Sequence, residues 1–166
     1  MQELARKQGG LVLDTWAMAW IYDGNRPLVR VWIESDQTSR TRKCYVSQGD
    51  EKGLTLEGCN ELINRKDGET RDKFLRRLHF DLFTDRERYD IVLDNTKLIP
   101  EETGACAQLG IGTFSPVVLE AVGYALKKIG EPNFDPDHSV ARDLTLKYDG
   151  MIKRLGEFTR RHNEEQ

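Results

Sequence analysis

In Asp85-Arg86-Glu87-Arg88-Tyr89-Asp90-Ile91-Val92-Leu93-Asp94-Asn95-Thr96 a run of charge gives way to three apolar residues and an acid. Asp90–Asp94 reads as a β-strand. Two stretches upstream read the same way. Leu11–Asp14 is a short continuous apolar run ending in an acid, the pattern of a strand buried on both faces of a parallel sheet. Leu28–Ile33 is apolar apart from Arg30. Between the second and third strands lie helical patterns at about Gln37–Val46, 55–64 and 68–80, with a break expected near Asp67-Gly68 and a polar, mobile-looking stretch at Gln48–Gly53. Strands separated by helices imply an α/β fold whose parallel sheet is built from right-handed crossovers.

Working outward, residues 2–8 read as the end of a helix stopped by Gly9-Gly10. Trp16–Tyr22 reads as a short helix or turn, and Asp23–Pro27 as a loop. Downstream, residues 97–114 carry Pro100 and glycines at 104, 110 and 112 and read as irregular. Ser115-Pro116 has the chemistry of a helix start, a capping serine with proline in the first turn. That helix shows Val118, Val122, Ala125, Leu126 and Ile129 on one face and stops at Gly130. After a linker at Pro132–Pro136, a last helix is expected over about 139–162. It carries Val140, Leu144, Tyr148, Met151, Leu155 and Phe158, a stripe suited either to core or to a dimer contact.

The 166 residues suffice for one domain with a substantial core. Charged residues make up 32% and hydrophobic residues 38%. The formal net charge of −3 supplies no global basic field for nucleic acid. Basic residues cluster locally instead, at Arg40, Arg42 and Lys43 and again between Arg65 and Arg77. Such clusters on a near-neutral chain favour a small phosphorylated ligand over a long polyanion. Cys44, Cys59 and Cys106 have no zinc-type spacing, and the expectation is reduced thiols in a cytoplasm. The N-terminus lacks the apolar core of a signal peptide, and no membrane span is expected from the sequence.

Three sets of residues could carry chemistry. Asp14 stands at the carboxyl end of an expected strand, where open α/β sheets bind ligands; the alternative is a helix cap or loop hydrogen bond. Arg40, Arg65 and Arg71 have guanidinium forks that match phosphate oxygens. On a mobile segment they could close over phosphates during transfer; the alternative for each is a solvated helix face. Gly110-Ile-Gly-Thr-Phe-Ser-Pro precedes an expected helix and reads either as an anion site or as an ordinary helix-entry turn. No Gly-x-x-x-x-Gly-Lys-Ser/Thr occurs in the 166 residues.

The order and spacing of three stretches resemble the cytidylate kinase-like family of phosphate-loop nucleoside monophosphate kinases. They are GGLVLDTWAMAW, PLVRVWIESDQTSRTRKCYV, and INRKDGETRDKFLRRLHFDLFTDRERYDIVLDNT, covering about residues 3–98. The stretch Tyr89–Thr96 after a basic lid is the most specific. The resemblance implies a phosphate-loop-kinase-like parallel sheet in truncated form. Residues 1–98 would be the α/β region with its lid at about 37–80, and residues 99–166 a linker and C-terminal helical extension. It implies transfer of the γ-phosphoryl of ATP to a nucleoside monophosphate with Mg²⁺. Arg40, Arg65 and Arg71 would serve the transferred group, Asp67 would orient arginines, and Asp14 would hold Mg²⁺ through water. Thr15 and Trp16 stand where bacterial members carry Gly-Arg.

The resemblance also places the family's first strand and phosphate loop upstream of residue 1, with that strand between those at 11–14 and 28–33. These two would then pair directly, or a partner chain or second copy would donate a strand. The expected ligands are nucleoside mono- and triphosphates. The expected activity of the 166 residues alone is slight. The other readings are a non-catalytic nucleotide- or partner-binding module, and a structural protein that dimerises through its C-terminal helices.

Overall fold

The computed structural model describes residues 12–22, 28–96, 98–130 and 138–156. Its elements in chain order are α1 (Met18–Ile21), β1 (Val31–Glu34), α2 (Gln37–Lys52), α3 (Leu56–Leu78), β2 (Ile91–Asp94), α4 (Gly104–Gly130), α5 (His138–Lys147) and β3 (Ile152–Leu155). The sheet order is β1-β2-β3. β1 and β2 run parallel, with Trp32 beside Val92 and Glu34 beside Asp94. β3 runs antiparallel to β2. The fold is therefore mixed α/β, and the expected all-parallel sheet is corrected by a strand from the C-terminal part of the chain.

Three further expectations change. Residues 12–14 form no strand, and Val12 is 97% exposed. An apolar run with no neighbouring strand has nothing to bury it or to pair its backbone. The helix break at Asp67-Gly68 does not occur: α3 is continuous through an exposed Gly68, and the roughly 1 kcal/mol helix cost of a mid-helix glycine does not break a 23-residue helix anchored elsewhere by buried Cys59 and Ile63. Its ends follow the rules for capping. Thr55 Oγ1 accepts from the Gly58 N–H at 3.1 Å, and His79 closes the helix in the left-handed region at φ 57°, donating its N–H to the Leu75 carbonyl. At Gly53 a φ of +60° ends α2, which is longer than expected and takes in much of the polar Gln48–Gly53 stretch.

α4 starts eleven residues before Ser115, because Thr103 caps it: the Cys106 N–H donates to Thr103 Oγ1 at 3.2 Å. Pro116 sits inside the helix. Proline there removes one backbone donor and crowds the carbonyl four residues back. Thr113 and Ser115 bond back to the Leu109 and Ile111 carbonyls at 3.0 and 2.7 Å, a pattern that bends helices. What holds this stretch helical is its buried side. Gly110 lies so close to residue 98 that an added Cβ would meet the Leu98 carbonyl oxygen at 2.6 Å. Phe114, Val117 and Ala121 enter the core. The stretch from Gly110 to Pro116 is thus helix interior, with no helix N-terminus to bind an anion.

The expected helix over 139–162 is also corrected. α5 ends at Lys147, Gly150 turns the chain at φ +73°, and β3 follows. Within the stripe, Leu144, Tyr148, Met151 and Leu155 pack against the core of their own chain. Phe158 lies outside the described residues, as do residues 1–11, Asp23–Pro27 and Pro132–Pro136.

One face of the sheet carries Ile91, Leu93, Ile152 and Leu155 and meets Phe114, Val117, Ala121, Tyr124 and Ala125 of α4. Val31, Leu144 and Tyr148 flank this cluster. Val92, on the other face, packs with Ala19, Tyr89, Trp20 and Trp32. Residues on both sides of position 98 therefore build a single core. Among the described helices, α4 is long and apolar enough to cross a membrane by length and composition alone; one side of it is built into this core.

Candidate functional site

β1 and β2 are parallel, so their carboxyl ends and the turns after them lie side by side, the usual place for a ligand site in an α/β sheet. Ser35 and Asp36 follow Glu34, the last residue of β1, and Asn95 and Thr96 follow Asp94, the last of β2. The two turns are tied together. The Asn95 N–H donates to the Glu34 carbonyl at 3.0 Å, and the Asp36 N–H to Thr96 Oγ1 at 2.9 Å. Asp36 also caps α2, its Oδ1 accepting from the Ser39 N–H at 2.7 Å. Those bonds from Ser39 hold its carboxyl below the usual carboxylate range.

Lys43, two turns into α2, reaches back between these strand ends. Its Nζ donates to Ser35 Oγ at 2.8 Å, to Asn95 Oδ1 at 2.5 Å and to the Asn95 carbonyl at 3.3 Å. Burial pushes its pKa down, opposed by the charges of Asp36 and Asp94. For Asp94 burial acts upward, but bonds from Thr96 and from Lys153 outweigh it and the net shift is downward. Lys153 approaches at 3.3 Å. It can do so because β3 bulges there: Arg154 lies beside Val92 and Ile152 beside Leu93, leaving Lys153 as the extra residue.

The α2–α3 hairpin stands over this end. Gln37 Nε2 donates to Asn60 and Asn64 at 2.7 and 3.0 Å. Arg40 forms a two-pronged pair with Asp67, Nη1–Oδ2 at 2.5 Å and Nη2–Oδ1 at 2.7 Å. This fork fixes a guanidinium plane rather than only a charge. Arg65 and Arg71 lie elsewhere on α3. Arg65 pairs with Glu69 one turn on at 3.4 Å, both side chains more than half exposed. Arg71 pairs with Asp81 at 2.9 Å and lies 5.7 Å from the centre of the Phe83 ring.

Of the residues singled out from the sequence, the structure joins Arg40 to Asp67 and gives Arg65 and Arg71 separate carboxylates. Asp14 is exposed in an irregular segment, at no strand end. The strand-end polar groups are Asp36, Lys43, Asp94, Asn95 and Thr96, of which the site reading took in Lys43 alone, as one of a basic cluster. The signal for three of them was present in Leu93-Asp94-Asn95-Thr96, an acid and two short polar residues directly after a buried strand. Lys43 carried no such signal, because its contacts are with residues 8 and 52 positions away.

Among the described residues no three His, Cys, Asp or Glu side chains group as a metal site. The Asp94 carboxylate is already bonded to Thr96 and Lys153. A resident Mg²⁺ is therefore not fitted by the described residues, and no chemical step is assigned to one.

With this geometry in place, comparison with known proteins gives a family match. A model described as the cytidylate kinase-like family matches residues 1–97. No curated protein and no solved structure matches the chain significantly.

Proposed function

The chain belongs to the cytidylate kinase-like family, and from that premise we propose that it serves ATP-dependent phosphorylation of a nucleoside monophosphate. The family match over residues 1–97 is the observation that carries this reading. In the proposal Arg40, Arg65 and Arg71 face phosphate oxygens, and Asp67 holds the plane of Arg40. The ion pairs bear on how the arginines act. Arg65–Glu69 and Arg71–Asp81 are open to solvent on at least one side, and such pairs are typically worth no more than about 1 kcal/mol. Exchanging Glu69 or Asp81 for a phosphate therefore costs little. The two-pronged Arg40–Asp67 pair is less exposed and would persist as a fixed positioning element.

Phosphoryl transfer depends on positioning and on charge stabilisation around the β- and γ-phosphates. The backbone cage and lysine that usually supply this are encoded nowhere in these 166 residues. We therefore assign the phosphate cradle to residues outside them, whether of the same protein or of a partner chain that adds a strand at the β1 edge of the sheet. The absence of a Gly-Lys-Ser/Thr favours one alternative, a non-catalytic module that binds nucleotides or a partner. Three free cysteines support a reducing, cytoplasmic setting for either reading.

A coupled assay on the 166-residue chain with ATP and CMP, dCMP, UMP or AMP should show no turnover approaching the roughly 1–100 per second of kinases. Calorimetry should nonetheless show weak nucleotide binding that Arg71→Ala reduces. Turnover by the isolated chain would overturn the assignment of the cradle to other residues. No binding by either protein would remove the arginines from the site.

A further inference from the structure

Among the described residues, α4 carries more exposed large apolar side chains than any other helix, and three of the four lie on one side of it. Leu109, Gly112, Pro116, Leu119, Gly123 and Leu126 recur at alternating spacings of three and four, and each is exposed. The opposite side, Gly110, Phe114, Val117, Ala121 and Ala125, is buried. Leu109 and Leu119 each keep 72% of their surface, Ile111 60% and Leu126 56%. A Cβ added at Gly112 or Gly123 would meet nothing within 4 Å. This seam of period 3.5 is the kind one helix offers another, its glycines allowing close approach. It belongs to neither the strand-end site nor the lid.

We propose that α4 is the interface of a two-fold symmetric dimer, packing antiparallel against α4 of a second copy. The seam is complementary to itself over its central part, with Leu126 alone falling opposite Glu102 at the rim. When two copies of α4 cross near Phe114, Leu109 of one lies against Leu119 of the other, Gly112 against Pro116, and Ala105 against Gly123. Each pairing occurs twice, as a two-fold axis requires. The small residues fall at the crossing point and the leucines on either side of it. The charges agree: the same register sets Glu101, exposed just before α4, beside Lys127, exposed at its far end. The 27-residue helix is about 40 Å long. Its four exposed large side chains, of which Leu109, Leu119 and Leu126 lie in the seam and Ile111 at its flank, offer on the order of 500 Å², at the upper end of what a monomer shows. With the backbone exposed at the glycines, that approaches the roughly 800 Å² per subunit of a stable interface. Of the segments outside the described residues, 131–137 and 157–166 each contain one large apolar residue, a phenylalanine, and 1–11 contains Met1, Leu4 and Leu11 spread among polar ones, so none repeats the seam's spacing.

Sedimentation velocity of the full chain over a micromolar concentration series should show a species of twice the monomer mass. Leu119→Asp should weaken dimerisation at least tenfold with an unchanged circular-dichroism spectrum. Gly112→Leu separates an interface from a folding defect. Its side chain enters open space in the monomer and improves helix propensity, yet it wedges the two helices apart. It should therefore weaken the dimer at least tenfold while leaving the monomer melt unchanged or raised. A monomer throughout, or a dimer indifferent to both substitutions, would overturn the proposal. So would flotation of the wild-type chain with phosphatidylcholine vesicles that Leu119→Asp abolishes, since the seam would then face lipid.

Discussion

The two faces of the sheet are held by different chemistry, and neighbouring residues of one strand show it. Ile91 and Leu93 of β2 are wholly buried among aliphatic and small side chains of α4. Val92, between them, looks out on Trp20, Trp32 and Tyr89. On that second face Arg86 lies 4.1 Å from the centre of the Trp32 ring and donates to the Leu82 and Phe83 carbonyls at 2.9 and 2.7 Å. Arg154 donates to the Arg86 and Tyr89 carbonyls. Trp20 stacks on Phe80 at 4.0 Å. Buried N–H groups of Trp32 and Arg154 nevertheless lack an acceptor, a cost the aliphatic face does not carry. The aliphatic face is closed mainly by residues after 98, the arginine-aromatic face mainly by residues before it. The family-matched part of the chain therefore depends on the part outside the match for its better-packed core.

The largest effect should come from removing that cover. A chain ending at residue 98 loses α4, α5 and β3 and leaves Ile91 and Leu93 facing water. It should lose its cooperative melt and bind hydrophobic dyes. A cooperative transition in this fragment would show that the second face suffices alone and would break the comparison.

A smaller effect separates the faces residue by residue. Leu93→Ala should cost about 2–5 kcal/mol, the usual range for a buried leucine. Arg154→Met should cost about 1–2 kcal/mol, because the two carbonyls it leaves are partly offset by removing an unpartnered buried donor. Denaturant midpoints at equal slopes measure both. An Arg154→Met loss as large as that of Leu93→Ala would make the polar face an equal partner in stability.

The smallest effect concerns the rim where the faces meet. The carboxyls of Asp36 and Asp94 are held low. So is that of Asp81, where burial acts upward but bonds from the Phe83 N–H and Arg71 outweigh it. A carboxyl with a depressed folded pKa contributes stability above its unfolded value, near pH 4, and loses it as pH falls through the folded value. The melting temperature should thus be flat from pH 7 to about 5 and fall below about 4. Asp94→Asn should flatten part of that fall. An identical acid limb in the variant would remove Asp94 from the set.

Local signals carried much of the fold. β2 was legible at Asp90–Asp94 because three apolar residues in a row need cover on both faces. The α2 start, the α3 termini and the short helix at Met18–Ile21 also follow from local chemistry. The C-terminal part was read less well. Pro116 and the glycines at 104, 110 and 112 argue locally against a helix there, while burial of Phe114 and Val117 argues for one from a distance. Tyr148-Asp149-Gly150-Met151 continues a helical spacing of apolar residues that suits a strand equally well once Gly150 turns the chain. At the candidate site, the Arg40 and Asp67 pair belongs to residues named from the sequence. Lys43 stands out in the sequence only as one of a basic cluster, and its place between the strand ends follows from its partners.

By itself the sequence determined the family, the two parallel strands, the helical hairpin between them, and the basic residues that hairpin carries. Each of these rests on interactions within a few residues or on a pattern of residue types along the chain. Tertiary structure alone decided that β3 returns antiparallel to β2, that α4 runs through its proline, and that residues 12–14 stay out of the sheet. It also decided that Lys43 bridges two strand ends. These outcomes depend on which surfaces are available to bury a given apolar run, and that is settled only when distant parts of the chain meet.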